Sequence, residues 1–435
     1  MKVVIAAGGK GTRIQSVASD IPKPLIPIDG VPVLEREIIS LRNQGFTDII
    51  ITVSYLHKLI ENYFGDGTRL GVNLEYFLEK TPLGNAGALF KIQHLLTEDF
   101  IFLIADVLFD IDFNRFVAYH RKKGGLVTLF THPNSHPYDS SILVADEDGA
   151  VERWLTKEDT RPEYYKNCVN AGIHIINPAV FDICGIDGDR IGKEMNGKIV
   201  KVDLDCQILK PMCGTGKMFC YYSPEYCKDM GTPDRFISVT ADLRSGVIKA
   251  KNLRNKQKAV FLDRDGTINK HIGFVRKPEE FELLPDVAEA IKRINSSGYL
   301  AIVITNQPVI ARGEVTWAGL QEIHNKMETL LGAEGAYLDG LYYCPHHPHK
   351  GYEGEIPEMK IDCDCRKPNP GLIFHAAEDF NVELSESWMI GDSSNDIGAG
   401  KNAGCRTVLI GDEKFGQNLT CSTLLEAIDK ILVSS

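Results

Sequence analysis

Short apolar runs of strand length recur along this chain in two separate series, with helix-length stretches between them. VVIAA (3–7), DIIITVSY (48–55), FIFLIADV (100–107) and LVTLFTH (126–132) form the first series. KAVFLDRD (258–265), LAIVITNQ (300–307), WMIGDSS (388–394) and RTVLIGD (406–412) form the second. Such runs suit strands covered on both faces, and their alternation with helices predicts α/β sheets. Two series in 435 residues predict two domains, because a single core rarely grows that large. The stretch between them, ADLRSGVIKAKNLRNKQ (241–257), is basic and polar and loses its periodicity after Gly246. We therefore expect a boundary near residue 250, with domains at 1–245 and 258–435 and a linker over 246–257.

Composition narrows the function classes. The longest apolar runs, such as FIFLIA (100–105), fall far short of the roughly 18–20 residues of a membrane span. The first residues run straight into a strand pattern, so no signal peptide is expected. A net charge of −11 argues against a nucleic-acid partner, while local cations and backbone N–H groups can still bind small phosphates. Cys168, Cys184, Cys206, Cys213, Cys220, Cys227, Cys405 and Cys421 are scattered and read as reduced thiols of a cytoplasmic protein. A homo-oligomer is left open.

Each half opens on a motif with its own chemistry. AAGGKGTR (6–13) follows a strand, and Gly8, Gly9 and Gly11 let the backbone turn N–H groups toward an anion. No G-K-[ST] closes the loop, so it is not a P-loop. Arg13 adds a cationic fork, and Lys23, held extended between prolines in SDIPKPLIP (19–27), adds a point charge. In the second half, Asp263 ends a strand and projects from the carboxyl edge, where α/β proteins bind ligands, with Asp265 two residues on. Further along, Cys344 and His346 are one residue apart, as are Cys363 and Cys365. Three thiolates and an imidazole make a closed tetrahedral Zn²⁺ site that would hold a long, poorly apolar loop. His347 and His349 remain alternatives to His346.

Residues 1–240 carry GGKGTR, PKPLIPIDGVPVLE, TPLGNAGAL (81–89), a strand ending in Asp106, VNAGIHII (169–176) and DMGTPDRF (229–236). In that order they resemble the sugar-1-phosphate nucleotidyltransferases. The resemblance implies a Rossmann-like mixed sheet holding a nucleoside triphosphate, whose α-phosphorus is attacked by a sugar phosphate with loss of pyrophosphate. It implies that Gly8, Gly9, Gly11, Thr12, Arg13 and Lys23 cradle the triphosphate, with Arg13 and Lys23 catalytic. Leu83, Gly84 and Asn85 would lie beside the nucleotide, Asn170 and Gly172 near the sugar, and Lys157 on the sugar phosphate. Asp106 and Asp229 would hold Mg²⁺. Two positions depart from the family: Ala105 stands where many members have glycine, and Asn85 replaces the usual threonine. RIQSVASDIPKPLIPIDGVPVLE (13–35) most resembles the D-glycero-α-D-manno-heptose 1-phosphate guanylyltransferases, which makes GTP the expected nucleotide.

The second half resembles the haloacid dehalogenase superfamily of phosphatases, whose sheet is parallel. By that resemblance Asp263 is the nucleophile that forms an aspartyl-phosphate, and Asp265 is the acid and then the base. Asp263, Asp265 and Asp392 would hold Mg²⁺, with Asp396 in support. Thr305 and Asn306 would donate to the phosphate, Lys367 neutralise it and Arg366 grip the substrate. DRDGT, TNQ, the Cys-His-Cys-Cys loop and CRKP together resemble the D-glycero-D-manno-heptose 1,7-bisphosphate phosphatases over about residues 257–435. The histidinol-phosphate phosphatases share these motifs. Pro308-Val309 stands where Ser-Gly is expected. The expected function is thus bifunctional: the C-terminal domain removes the 7-phosphate and the N-terminal domain joins the 1-phosphate to GMP. Another sugar or nucleotide keeps both chemistries. A degenerate sensor would have lost Lys23, Asp106, Asp229, Asp263 or Asp392, and all are present.

Overall fold

A computed structural model describes residues 1–9, 21–105 and 107–433. The chain divides into two compact units. The first comprises Met1–Thr131, Leu143–Leu155 and Asn170–Ile248; the second comprises His132–Ile142, Thr156–Val169 and Lys249–Ser435. Both are α/β, one sheet mixed and the other parallel, as the two series of apolar runs imply.

In the first unit, β1 (Val3–Ala6) is central. It pairs in parallel with β2 (Asp48–Val53), Val3 opposite Ile49, and with β4 (Phe100–Ile104), Val3 opposite Ile101. Outside β2 lies parallel β3 (Asn73–Leu78). Outside β4 lies antiparallel β6 (Val169–Ile176), which makes the sheet mixed. Val3, Ile5, Ile49, Ile51, Ile101 and Leu103 share one core face and are at most 1% exposed, which is why β1, β2 and β4 read as unbroken apolar runs. The carboxyl ends of β1 to β4 meet at one edge, where the loop beginning at Ala7 emerges. A two-stranded ladder pairs β5 (Val107–Asp110) with β7 (Tyr226–Asp229), Asp229 opposite Val107. Helix α1 (Pro233–Ser245) follows directly, capped by Thr232 with proline in its first turn.

The second unit is built on a six-stranded parallel sheet among the described residues. Its strands are β8 (Lys258–Leu262), β9 (Tyr299–Asn306), β10 (Gly340–Cys344), β11 (Trp388–Gly391), β12 (Arg406–Ile410) and β13 (Leu419–Cys421). They lie in the order β10-β9-β8-β11-β12-β13. Central β8 aligns Phe261 with Ile302 and Met389. The carboxyl ends of β9, β8 and β11 therefore lie side by side, and they carry Thr305, Asp263 and Asp392.

The segment 246–257, read from its polarity as a linker, is ordered. Residues Val247–Ala250 form a short helix, and Val247 and Ile248 pack with Ile28, Val33 and Tyr226. Lys251, Asn252 and Gln257 are buried. Hydrogen bonds allow this: Gln257 Nε2 donates to the carbonyls of Asn252 (2.8 Å) and Asn255 (3.0 Å). No described helix is long and apolar enough to cross a membrane.

Candidate active sites

In the second unit the sequence ends β8 at Leu262, so Asp263 leaves the sheet at its carboxyl edge, 8% exposed, its N–H bonded to the Ile390 carbonyl. The next turn must pass close to Asp392. Gly266 sits at φ +90°, and a Cβ there would lie 1.9 Å from Asp392 Oδ2, so the glycine after D-x-D has no substitute. Carboxylate oxygens of Asp263, Asp392 and Asp396 lie within 4.8 Å of one another. Lys367 is buried among them, its Nζ 2.5 Å from Asp263 Oδ1 and 2.6 Å from Asp396 Oδ1. Burial pushes the Asp263 carboxyl up to about 7, against the pull of Lys367. Burial and then Asp396 also push Asp392 up. One ammonium facing three crowded carboxyls leaves a deficit of positive charge. A divalent cation held by Asp263 and Asp392 fits that deficit. Asp396 is anchored by the Ser393 N–H (3.0 Å) and hydroxyl (2.6 Å) at the start of α2 (Ser394–Ala403).

Asp265 is not one of the converging carboxylates. Its oxygens accept from Arg264 (2.8, 3.0 and 3.2 Å), from Asn269 Nδ2 (3.0 Å) and from Gln307 Nε2 (2.9 Å). Burial raises its pKa, but Arg264, Asn269 and Gln307 together bring it below the ordinary value. Thr305 is 1% exposed at the end of β9. The Asn306 side chain, expected on the phosphate, brackets the Lys367 backbone here, accepting from its N–H (3.0 Å) and donating to its carbonyl (3.1 Å). Pro308 and Val309 are both buried, and Val309 packs with Ile310, Val315 and Leu320.

The structure brings Cys344, His346, Cys363 and Cys365 together. The sulfurs are 3.2, 3.3 and 3.6 Å apart, and His346 Nδ1 is 3.3 Å from Cys365 Sγ and 3.7 Å from Cys344 Sγ. Disulfide sulfurs lie about 2.05 Å apart, so none is formed. A zinc tetrahedron has edges of about 3.8 Å between sulfurs and about 3.6 Å from sulfur to nitrogen, close to these values. Arg366, beside Cys365 in the chain, donates from Nη1 to the His346 carbonyl at 3.1 Å, which ties the CRKP segment to the cluster.

In the first unit, Gly8 and Gly9 follow β1. A Cβ on Gly8 would meet Glu79 Oε1 at 3.3 Å and Ser54 Cβ at 3.4 Å, whereas one on Gly9 would meet nothing. Gly11, Thr12, Arg13 and Asp106 lie outside the described residues. Lys23 opens a single 3₁₀ turn after Pro22, and its charge reaches Asp229. Burial raises Asp229, but the Gly231 N–H (2.9 Å), Arg235 Nη1 (2.7 and 2.9 Å) and Lys23 outweigh it and lower its pKa. Asp229, expected on Mg²⁺, is thus already paired with Arg235. Gly84 has φ +85°, and a Cβ would fall 2.2 Å from the Val202 carbonyl oxygen. Leu83 is buried, and Asn85 Oδ1 accepts from the Leu204 N–H at 2.7 Å. This loop is stitched to residues 202–204. Asn170 Oδ1 contacts the Gly172 N–H (3.2 Å) and His174 Nε2 (3.1 Å). Lys157 is exposed and falls in Thr156–Val169, part of the second unit, whereas Asn170 and Gly172 belong to the first.

Sequence reasoning missed Arg264, Asn269, Gln307 and Glu79. The first two lie inside DRDGTIN, and Gln307 follows the expected donors in VITNQ. Polar residues flanking a catalytic strand end were the available signal.

Two reaction classes account for these centres: nucleotidyl transfer in the first unit and phosphate-ester hydrolysis in the second. A nucleotidyl transferase family model matches residues 2–246, and a HAD-hydrolase-like model matches 364–424. Over 152 residues, 35% of this chain, the sequence is 40% identical to D-glycero-beta-D-manno-heptose-1,7-bisphosphate 7-phosphatase of Salmonella typhi, covering 79% of that protein. It is 41% identical over 155 residues, 36% of this chain, to D-glycero-alpha-D-manno-heptose-1,7-bisphosphate 7-phosphatase of Burkholderia mallei, covering 80% of that protein. A crystal structure of HddC from Yersinia pseudotuberculosis covers 56% of this chain and 99% of its own, at 24% identity and a TM-score of 0.46. The chain belongs to the nucleotidyl transferase family and, through its second part, to the family of these bisphosphate phosphatases. It is an enzyme with two activities, a nucleotidyltransferase and a phosphatase.

Proposed function

We propose that the chain makes GDP-D-glycero-α-D-manno-heptose from a heptose 1,7-bisphosphate in two steps, as a cytoplasmic enzyme. The observation that carries this is the kinship to 7-phosphatases of heptose 1,7-bisphosphate in a chain that is also a nucleotidyl transferase. Removal of the 7-phosphate leaves a sugar 1-phosphate, the acceptor that a sugar nucleotidyltransferase uses.

In the first step an Asp263 oxygen attacks the 7-phosphorus and the bond from phosphorus to O7 breaks; Asp265, which takes up a proton from solvent as the anionic phosphate binds beside it, gives that proton to O7. Water then attacks the aspartyl-phosphate, Asp265 takes its proton, and orthophosphate leaves. Lys367 balances the phosphoryl charge, with Thr305 as donor and Arg366 on the rest of the substrate. Mg²⁺ bound by Asp263 and Asp392 would supply further positive charge to the phosphoryl oxygens. Zn²⁺ on Cys344, His346, Cys363 and Cys365 is structural, since four protein ligands leave no open position. In the second step a 1-phosphate oxygen attacks the α-phosphorus of GTP and pyrophosphate leaves. Gly8, Gly9 and Lys23 hold the triphosphate. Asp229 would hold Mg²⁺ together with Asp106, while Lys23, whose charge reaches Asp229, adds positive charge for the triphosphate. The resemblance of residues 13–35 to heptose guanylyltransferases supports GTP and the α-anomer.

The test uses Asp263→Asn, which keeps side-chain shape but removes the nucleophile. Given heptose 1,7-bisphosphate, GTP and Mg²⁺, it should release neither orthophosphate nor GDP-heptose. Given the α-1-phosphate, it should make GDP-heptose at the wild-type rate. Conversion of the bisphosphate by this variant would sink the two-step reading. Wild type that refuses the 1-phosphate but accepts another sugar phosphate would leave the chemistry and remove the heptose.

A further inference from the structure

Gln307 has no part in the steps above, yet it stands between two residues that do. It follows β9 and is 2% exposed. Its Nε2 donates to Asp265 Oδ2 and to Thr305 Oγ1, both at 2.9 Å. An amide NH₂ has two protons, so each contact uses one. A carboxylate only accepts, which fixes the nitrogen of the amide toward Asp265. Thr305 accepts from Gln307 and keeps its own hydroxyl proton to donate elsewhere. On its other side Asp265 is gripped by Arg264, which is 0% exposed and lies 3.3 Å from His324 Nε2, and by fully buried Asn269. The carboxylate is therefore held on both oxygens by groups that are themselves packed.

We propose that Gln307 is a positioning residue of the phosphatase centre. One amide sets the separation between the acid–base carboxylate Asp265 and the phosphate donor Thr305. When Thr305 engages the phosphoryl group, the oxygen of the departing alcohol then meets its proton donor. The proposal rests on the acid–base role given to Asp265 above. The Lys367 backbone is braced separately, by the Asn306 side chain, so Gln307 governs the acid and not the charge balance.

The experiment compares leaving groups. An alkyl oxygen must be protonated to leave, whereas p-nitrophenolate leaves without a proton. The ratio kcat/KM reports steps through departure of the alcohol, so slow hydrolysis of the aspartyl-phosphate does not mask the effect. Gln307→Met should lose about 10²-fold in kcat/KM for heptose 1,7-bisphosphate and less than about tenfold for p-nitrophenyl phosphate, the span of one general acid. Gln307→Glu keeps the shape but repels Asp265, and it should show the same bias if the methionine variant does not fold. Equal losses on both substrates, or no loss on either, would overturn the assignment. Asp265→Asn serves as the control. If it is biased toward the alkyl substrate and the Gln307 variants are not, Gln307 alone is misassigned. If Asp265→Asn affects both substrates alike, the acid–base reading falls and this inference with it.

Discussion

The Nζ of Lys367 lies 2.5 Å from Asp263, 2.6 Å from Asp396 and 2.7 Å from the carbonyl oxygen of Ile304. Burial alone would lower its pKa; the two carboxylates overcome that and raise it, so the amine stays charged. Lys367→Met keeps the length and removes the charge. Breaking a buried pair by deleting one partner costs about 3–5 kcal/mol, so the metal-free variant should melt well below wild type. Mg²⁺ should narrow the gap, because a cation can take up the freed carboxylates. Phosphatase kcat/KM should fall by at least ~10²-fold, while nucleotidyl transfer from the 1-phosphate is unchanged. A differential scan with and without Mg²⁺ and two separate assays check this. Lys367 was legible through the resemblance of the motif series, CRKP included, to the phosphatases. The orientation of Asp265 was not. D-x-D spacing says that two carboxylates are near each other, but only the positions of Arg264, Asn269 and Gln307 decide which way the second one faces.

At the scale of elements, the loop from Cys344 to Cys365 shows what spacing can and cannot reveal. Cys-x-His and Cys-x-Cys gave the four metal donors, including His346 in preference to His347 and His349, and these are the donors that converge. The strand ends were legible for a similar reason: a buried parallel strand is an apolar run, and the first polar residue after it marks the edge. Pairings across loops were not legible. Asp229 with Arg235, Asn85 with Leu204 and Asn306 with Lys367 are contacts that no spacing in the sequence announced. We expect one Zn²⁺ per chain by elemental analysis of protein purified without added metal. Cys363→Ser should lose it. Because Arg366 is tied to the His346 carbonyl, that variant should lose phosphatase activity and retain nucleotidyl transfer. Zinc-free protein with full phosphatase activity would refute the structural role.

For the whole molecule, the two series of apolar runs announced two α/β sheets. They did not announce that residues 132–142 and 156–169 belong with the second unit. Those segments end 116 and 89 residues before the parallel sheet begins at Lys258, so no local pattern marks where they pack. A mixing experiment follows from having two centres with separate residues. Asp263→Asn retains the transferase and Asp229→Ala retains the phosphatase. Neither alone should turn heptose 1,7-bisphosphate into GDP-heptose, but an equal mixture should, after a lag in which free 1-phosphate builds up. A mixture that stays inactive, with each partial reaction intact, would mean that the intermediate does not leave the chain that makes it.

One polypeptide holding both centres also fixes their ratio. Every translated copy delivers one phosphatase and one transferase, so no promoter, message half-life or gene dosage can favour one step over the other. Flux balance between the steps is left to kinetic constants and to inhibition by intermediates. Selection on the pathway must therefore act through substitutions within each centre and not through expression level.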